Sequence, residues 1–302
     1  MTAIVAPGMA VPLSAVDDVS VAVDGRLTAT KAITARDPYL SGHYPGRPIY
    51  PGVFVLESVL QATRRLLGDP GLVLAEVESV RFQAPLLPGD TLHLVLSFTT
   101  DSDGGYIVRA KGTRSDGTPA ATVTARCTEP YARPRSAPGH AMKDPFRTLG
   151  AMKGSFRAPR ELLPHRAPIL LADRIIGYTP RERVVTEFTV RTTQPCYWAL
   201  PSETDRQVCA YPDTLVIESF TQAAAVLFVL DRGPVTGTLA FGNARSVKLS
   251  EPVLPGQTMR HEVWLDRVVG DTALMHGQTT VDGRVCLTAG SLAVLARDGL
   301  GD

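Results

Sequence analysis

A repeat limits what this chain can fold into more than any other feature. The stretch from Val53 to Ala62, VFVLESVLQA, returns between Thr214 and Ala223 as TLVIESFTQA, so Glu57 aligns with Glu218 and Gln61 with Gln222. Further on, Ala84–Asp90 (APLLPGD) is matched by Glu251–Gln257 (EPVLPGQ). The same elements in the same order, twice, predict two copies of one unit. A length of 302 residues suits two domains of about 150 residues each. The 44% hydrophobic content is enough for each copy to bury a core.

Each copy reads as a short hairpin, a buried helix and then several strands. The helices at Val53 and Thr214 are apolar nearly all round, which marks a helix enclosed by protein. Pro51 and Pro212 stand at their starts, where a missing N–H costs nothing. Arg64 and Arg65 suit the negative end of the first helix. Alternation then takes over in Thr91–Ser97 and Met259–Leu265. Asp103-Gly104-Gly105, Asp116-Gly117 and Asp282-Gly283 mark tight turns. Asp24-Gly25 and Thr179–Arg183 supply the turns of the leading hairpins. The simplest arrangement is an α+β fold, an antiparallel sheet wrapped round one apolar helix in each copy. The divisions expected are residues 1–130, a Pro-rich linker at 131–158 and residues 159–302. The linker's Arg and Lys residues and His140 suit a solvated surface or a dock for an acidic carrier protein.

Bulk properties exclude several classes. Lys plus Arg is 31 and Asp plus Glu 30, so a grip on nucleic acid or an acidic membrane is not expected. Cys127, Cys196, Cys209 and Cys286 form no CxxC pair and no Cys/His cluster, so no metal site is expected. The opening residues MTAIVAPGMAVPL lack a basic region and a long apolar core, which argues against a signal peptide. No apolar run reaches membrane-spanning length without a charge. A reduced cytoplasm is the expected compartment.

The candidate chemistry sits in the first copy's loop, Ser41-Gly-His-Tyr-Pro-Gly-Arg-Pro-Ile-Tyr-Pro-Gly52. Its Pro and Gly content restricts the backbone, so His43 can be held in place just ahead of the helix that carries Glu57. Glu57 and Glu218 are each flanked by apolar residues. A carboxylate in such a setting needs a partner or a purpose.

His43-Tyr-Pro-Gly-Arg-Pro-Ile-Tyr-Pro-Gly52, followed by Leu56-Glu57 and Gln61, resembles the signature of bacterial 3-hydroxyacyl-[acyl-carrier-protein] dehydratases. Leu163-Pro-His-Arg166 through Asp173-Arg174 resembles the start of the same family. The layout is also similar to the double hot-dog dehydratase domains of polyketide synthases. The resemblance implies two fused hot-dog units forming a pseudo-dimer, with no metal or organic cofactor. It implies a site pairing His43 of one copy with Glu218 of the other. Glu218-Ser-Phe-Thr-Gln222 is similar to the acidic helix motif of the polyketide enzymes. The implied activity is that of a hydro-lyase taking a 3-hydroxyacyl thioester to a trans-2-enoyl thioester. Its substrate would ride on the phosphopantetheine of an acyl carrier protein or on coenzyme A.

In that scheme His43 is the base at C2 and Glu218, its pKa raised by burial, is the acid for the leaving hydroxyl. The N–H of Gly52 is the candidate donor to the thioester oxygen, though Gly52 also suits a plain tight turn. Gln222 orients Glu218 or bonds only to backbone. Tyr44 and Pro51 complete the candidate substrate-binding set. His165 is read as structural. Fourteen residues before Glu218 stands Thr204 with no His near it, so the reciprocal site at Glu57 should be dead. Trp198, Tyr197 and Tyr211 are expected to fill that unused pocket or to shape the substrate's path. Other readings are a thioesterase or isomerase on the same fold, and a non-catalytic acyl-binding partner. A homodimer of the chain is optional, because one chain already makes the pair.

Overall fold

Alternation and apolar runs become structure much as their periods require. The computed structural model describes residues 8–129, 156–235 and 238–297. The linker expected at 131–158 and the first residues of the chain therefore lie largely outside the described residues.

In the first copy the order is β1 (Asp18–Val21), β2 (Leu27–Ala32), α1 (Gly52–Leu67), β3 (Val73–Phe82), β4 (Thr91–Thr100), β5 (Tyr106–Thr113) and β6 (Pro119–Thr128). The second has a one-turn helix α2 (Pro159–Leu162) and then β7 (Arg174–Thr179), β8 (Arg183–Thr189), α3 (Asp213–Arg232), β9 (Thr238–Leu249), β10 (Thr258–Val269), β11 (Thr272–Val281) and β12 (Arg284–Arg297). β4 shows the pattern at work: Leu92, Leu94 and Leu96 are buried while His93, Val95 and Ser97 face out.

All twelve strands join one antiparallel sheet, ordered β1-β2-β4-β5-β6-β3-β9-β12-β11-β10-β8-β7. The second half of that order mirrors the first, so β3 and β9 lie at the pseudo-twofold axis. They pair directly, with Val77 opposite Val247 and Arg81 opposite Asn243. The two expected sheets are thus joined edge to edge, which removes two exposed edges. Each half wraps its own helix, and α1 and α3 pack together across the axis. This is a double hot-dog.

The first seventeen residues of α3, Asp213–Val229, are all buried. By length and apolar content α3 would suit a membrane span, yet 89% of its most apolar window is buried inside the protein, the position of a core helix.

The glutamine of each repeat pins its helix to the segment leading into the neighbouring hairpin. Gln61 Nε2 donates to the Leu13 carbonyl and its Oε1 accepts from Ala15 N, both at 2.9 Å. Gln222 Nε2 donates to the Ile169 carbonyl at 2.7 Å and its Oε1 accepts from Leu171 N at 2.8 Å. Leu13 therefore corresponds to Ile169. Four residues before each, Met9 corresponds to His165.

Candidate active site

Two loops meet at the N-terminal end of α1. The first carries His43 and the second carries His165. Arg166 N donates to the Gly42 carbonyl at 2.8 Å. A Cβ on Gly42 would stand 2.2 Å from the Arg166 carbonyl oxygen, so no side chain fits where the loops touch. Arg166 Nη1 donates to the carbonyls of Leu163, Pro164 and His165, which fixes the second loop from its own side.

This contact brings His43, His165 and Glu218 together. Their nitrogen and carboxylate atoms lie within 4.8 Å of one another, and all three residues are buried. The two imidazole centroids are 5.1 Å apart, and His165 Nε2 is 3.9 Å from Glu218 Oε1. Tyr44 packs against both imidazoles, at 4.9 and 5.4 Å. It takes φ 58°, a strained value for an aromatic residue, and its hydroxyl is anchored by donating to the Leu239 carbonyl.

The cluster opens into an apolar cavity between α1 and α3. Val53, Leu56, Ile217 and Thr221 line it from the helices, with Phe82 of β3 and Phe241 of β9 across from them. Gly52 lines it too, because a Cβ there would stand 2.8 Å from Phe82 Cζ. The first N–H groups of α1 have no partner inside the helix, so this end of the cavity favours negative charge.

The protonation states follow from burial and hydrogen bonds. His43 Nδ1 lies 2.6 Å from the Ile49 carbonyl. A carbonyl only accepts, so the ring proton sits on Nδ1 and Nε2 keeps a free lone pair. Burial lowers the His43 pKa to about 4 against the opposing pull of that carbonyl. Burial, with His43 and Arg166 nearby, holds the His165 pKa well below the usual histidine range. Burial raises Glu218 to about 7, opposed by a 2.8 Å hydrogen bond from Gln222 Nε2 to Oε1. Between about pH 4 and 7 the site holds two neutral imidazoles and a neutral carboxylic acid.

The structure gathers His43, Glu218, Gly52 and Tyr44 at one cavity. Gln222 stands behind Glu218 and bonds both to it and to backbone, so its two expected roles coexist. Pro51 is not among the lining residues; it precedes α1 with φ −56°. His165, read from sequence as structural, sits beside Glu218. The signal available for it was a Leu-Pro-His-Arg motif in the second copy where the first copy has Met9. Two imidazoles and a carboxylate are donors that metals use. Their ligand atoms lie within 4.8 Å of one another, and His165 Nε2 and Glu218 Oε1 stand 3.9 Å apart, wider than the about 3.3 Å between ligands on a tetrahedral zinc, so that pair would have to close to hold such an ion.

Glu57 is placed differently. Its Oε1 accepts from Gln61 at 2.8 Å and its Oε2 accepts from the Thr214 hydroxyl at 2.9 Å. Asp213 occupies the place of Gly52 at the start of α3. Burial raises its pKa to about 7, with Arg64 opposing and Glu57 adding to the rise. Tyr197 and Tyr211 of the drifted loop are fully buried, but Trp198 is 62% exposed and donates to the Thr193 carbonyl. Trp198 therefore fills no pocket. Tyr197 ends the tight turn Pro195–Tyr197 with its side chain buried, and Trp198, the next residue, is exposed.

Comparison with known proteins agrees with this architecture. Residues 20–118 match the ApeI-like family, described as ApeI dehydratase. The chain is 40% identical over 101 residues to the 3-hydroxyacyl-[acyl-carrier-protein] dehydratase FabZ of Verminephrobacter eiseniae, covering 30% of this chain and 66% of that protein, just under two thirds of its length. It is 41% identical over 102 residues to the FabZ of Psychromonas ingrahamii (31% and 68%) and 36% identical over 110 residues to that of Pectobacterium atrosepticum (33% and 72%). Among solved structures, the dehydratase domain of RzxB from Pseudomonas fluorescens superposes with a TM-score of 0.63 at 12% identity, covering 94% of this chain and 99% of that one. The dehydratase domain of PpsC from Mycobacterium tuberculosis, solved with C12:1-CoA, gives 0.60 at 13% identity over 94% and 98%. Those two likenesses establish the double hot-dog fold, and the sequence matches establish that the chain belongs to the 3-hydroxyacyl-[acyl-carrier-protein] dehydratase family.

Proposed function

We propose that the chain removes water from a 3-hydroxyacyl thioester, using one site built from His43 of residues 1–130 and Glu218 of residues 159–302. The observation that carries this reading is the pairing, in one apolar cavity, of an imidazole with a free Nε2 and a carboxyl held protonated by burial. Nε2 of His43 takes the proton from C2. Glu218 gives its proton to the departing C3 hydroxyl, which leaves as water. The N–H of Gly52, at the start of α1, faces the charge that develops on the thioester oxygen. The apolar walls suit an acyl chain. The thioester belongs on a carrier-protein phosphopantetheine or on coenzyme A in the cytoplasm, and the scheme calls on no metal or organic cofactor.

The test is enoyl formation from a 3-hydroxyacyl pantetheine thioester, followed by mass. His43→Ala and Glu218→Gln should each lose about 10²–10⁴-fold in kcat. Glu57→Gln should stay active. A dead Glu57→Gln with an active Glu218→Gln would move the site into the first copy. A wild type without turnover would leave an acyl-binding role.

A further inference from the structure

We propose that His165 is a positioning residue for Glu218: its Nε2–H, beside that of Gln222, makes Oε1 the accepting oxygen and leaves the acid proton on Oε2. This rests on the dehydratase reading of the same cavity.

The tautomer follows from the surroundings. His165 Nδ1 is buried and has no hydrogen-bond partner among the described residues. A buried N–H without an acceptor is the costlier orphan, so the ring proton belongs on Nε2. Nε2 faces Glu218 Oε1 at 3.9 Å, and Gln222 already donates to that oxygen at 2.8 Å. At 3.9 Å the two atoms are not yet hydrogen-bonded, and the proposal requires the pair to close by about 1 Å when substrate binds, as catalytic hydrogen bonds often do. Two donors on Oε1 make it the carbonyl oxygen of the acid. Oε2 takes no hydrogen bond from the described residues, and it is free to hand its proton to the substrate hydroxyl.

The other copy supplies the contrast. Glu57 has the equivalent glutamine, Gln61, on Oε1, but its Oε2 is occupied by Thr214, and the residue at the place of His165 is Met9, whose side chain has no N–H to offer. The carboxyl with an open oxygen is the one with a histidine beside it.

The experiment compares wild type, His165→Gln, His165→Phe and His165→Met on the pantetheine thioester, with folding checked by thermal melts. Gln keeps an N–H donor; Phe keeps a flat ring without one; Met reproduces the other copy. His165→Gln should retain kcat within about fivefold. The Phe and Met variants should lose about 10²-fold in kcat, the scale of a misplaced reacting group, with KM nearly unchanged. Loss of a donor that favours the carboxylate should also move the basic limb of their kcat profiles to higher pH. The proposal is overturned if Gln falls as far as Phe and Met, if either donor-free variant that folds matches wild type, or if the loss lies in KM alone. A wild type that turns over no thioester removes the dehydratase reading and this inference together. An active wild type with one of the former outcomes removes the inference alone.

Discussion

Glu218→Gln should cost activity and add stability, and the stability gain should depend on pH in a calculable way. The Glu218 pKa rises from 4.5 to about 7 on burial. Between those values the folded protein keeps a proton that the unfolded chain has lost. The stability tied to that proton is therefore complete below pH 4.5 and is lost as pH rises through about 7. The gap, at about 1.4 kcal/mol per pH unit, amounts to about 3 kcal/mol at pH 8 and less than about 1 kcal/mol at pH 5. Glutamine has no such dependence and still accepts from Gln222. Against wild type, the variant's melting point should thus rise by about 5 °C more at pH 8 than at pH 5. His43 does not disturb the comparison at pH 8, because its pKa of about 4 leaves it neutral there in the folded state and mostly neutral unfolded. Asp213→Asn is the control. Its carboxyl is also raised to about 7 by burial, so the same stabilisation should appear at pH 8 with activity intact. Scanning calorimetry at the two pH values decides the matter. A wild-type-to-variant difference that is equal at pH 5 and pH 8 would refute the linkage between burial and the protonated acid.

Three other outcomes are expected. The pH profile of kcat/KM should be a bell, falling below about pH 4 as His43 gains its proton and above about pH 7 as Glu218 loses its own; a flat profile across pH 7 speaks against Glu218 as the acid. Gly52→Ala places a Cβ 2.8 Å from Phe82 Cζ, so it should destabilise by about 1–3 kcal/mol and reduce kcat/KM as the ring moves, read by denaturation and steady-state assay. Thr214→Val leaves Glu57 Oε2 buried without its donor and should cost about 1–3 kcal/mol in a urea titration while turnover stays unchanged.

Much of this architecture is written in local pattern. The apolar runs after Pro51 and Pro212 are the two core helices, and Asp282-Gly283 is the β11–β12 turn, with both residues at positive φ. These features depend only on near neighbours, which is why periodicity reveals them. The cross-copy pairing of His43 with Glu218 was legible because the repeat supplied two acids and only one loop kept its histidine. His165 was not legible as a site residue. It lies 53 positions before Glu218 and meets it because Gln222 pins the segment just after His165 against α3, while the Gly42–Arg166 contact brings the His43 loop to the same place. Aligning the two halves would still have exposed Gly52 against Asp213, since each stands five residues before its glutamate. The edge-to-edge β3–β9 junction left no trace, because an outer strand and an inner strand carry the same alternation.

Besides the histidine loop, three differences between the copies bear on the surroundings of the two glutamates. Where α1 begins with Gly52 and Val53, α3 begins with Asp213 and Thr214; where the second copy has His165, the first has Met9. A threonine hydroxyl on Glu57 satisfies a buried oxygen, which favours folding, whereas burial raises the Asp213 pKa to about 7, so its carboxylate costs stability once it ionises. Under the proposed mechanism both changes would oppose the reaction at Glu57, because Asp213 puts a carboxyl where the thioester oxygen would gather charge, and Thr214 occupies the oxygen that would carry the acid proton. The site at Glu218 keeps the opposite set: a bare helix end, and a carboxyl oxygen and a histidine nitrogen without a hydrogen-bond partner among the described residues. Each is a local cost to stability that a polar substrate would relieve. With both Glu57 oxygens hydrogen-bonded, the proposed scheme concentrates those costs at one cavity, against which α3 holds Glu218.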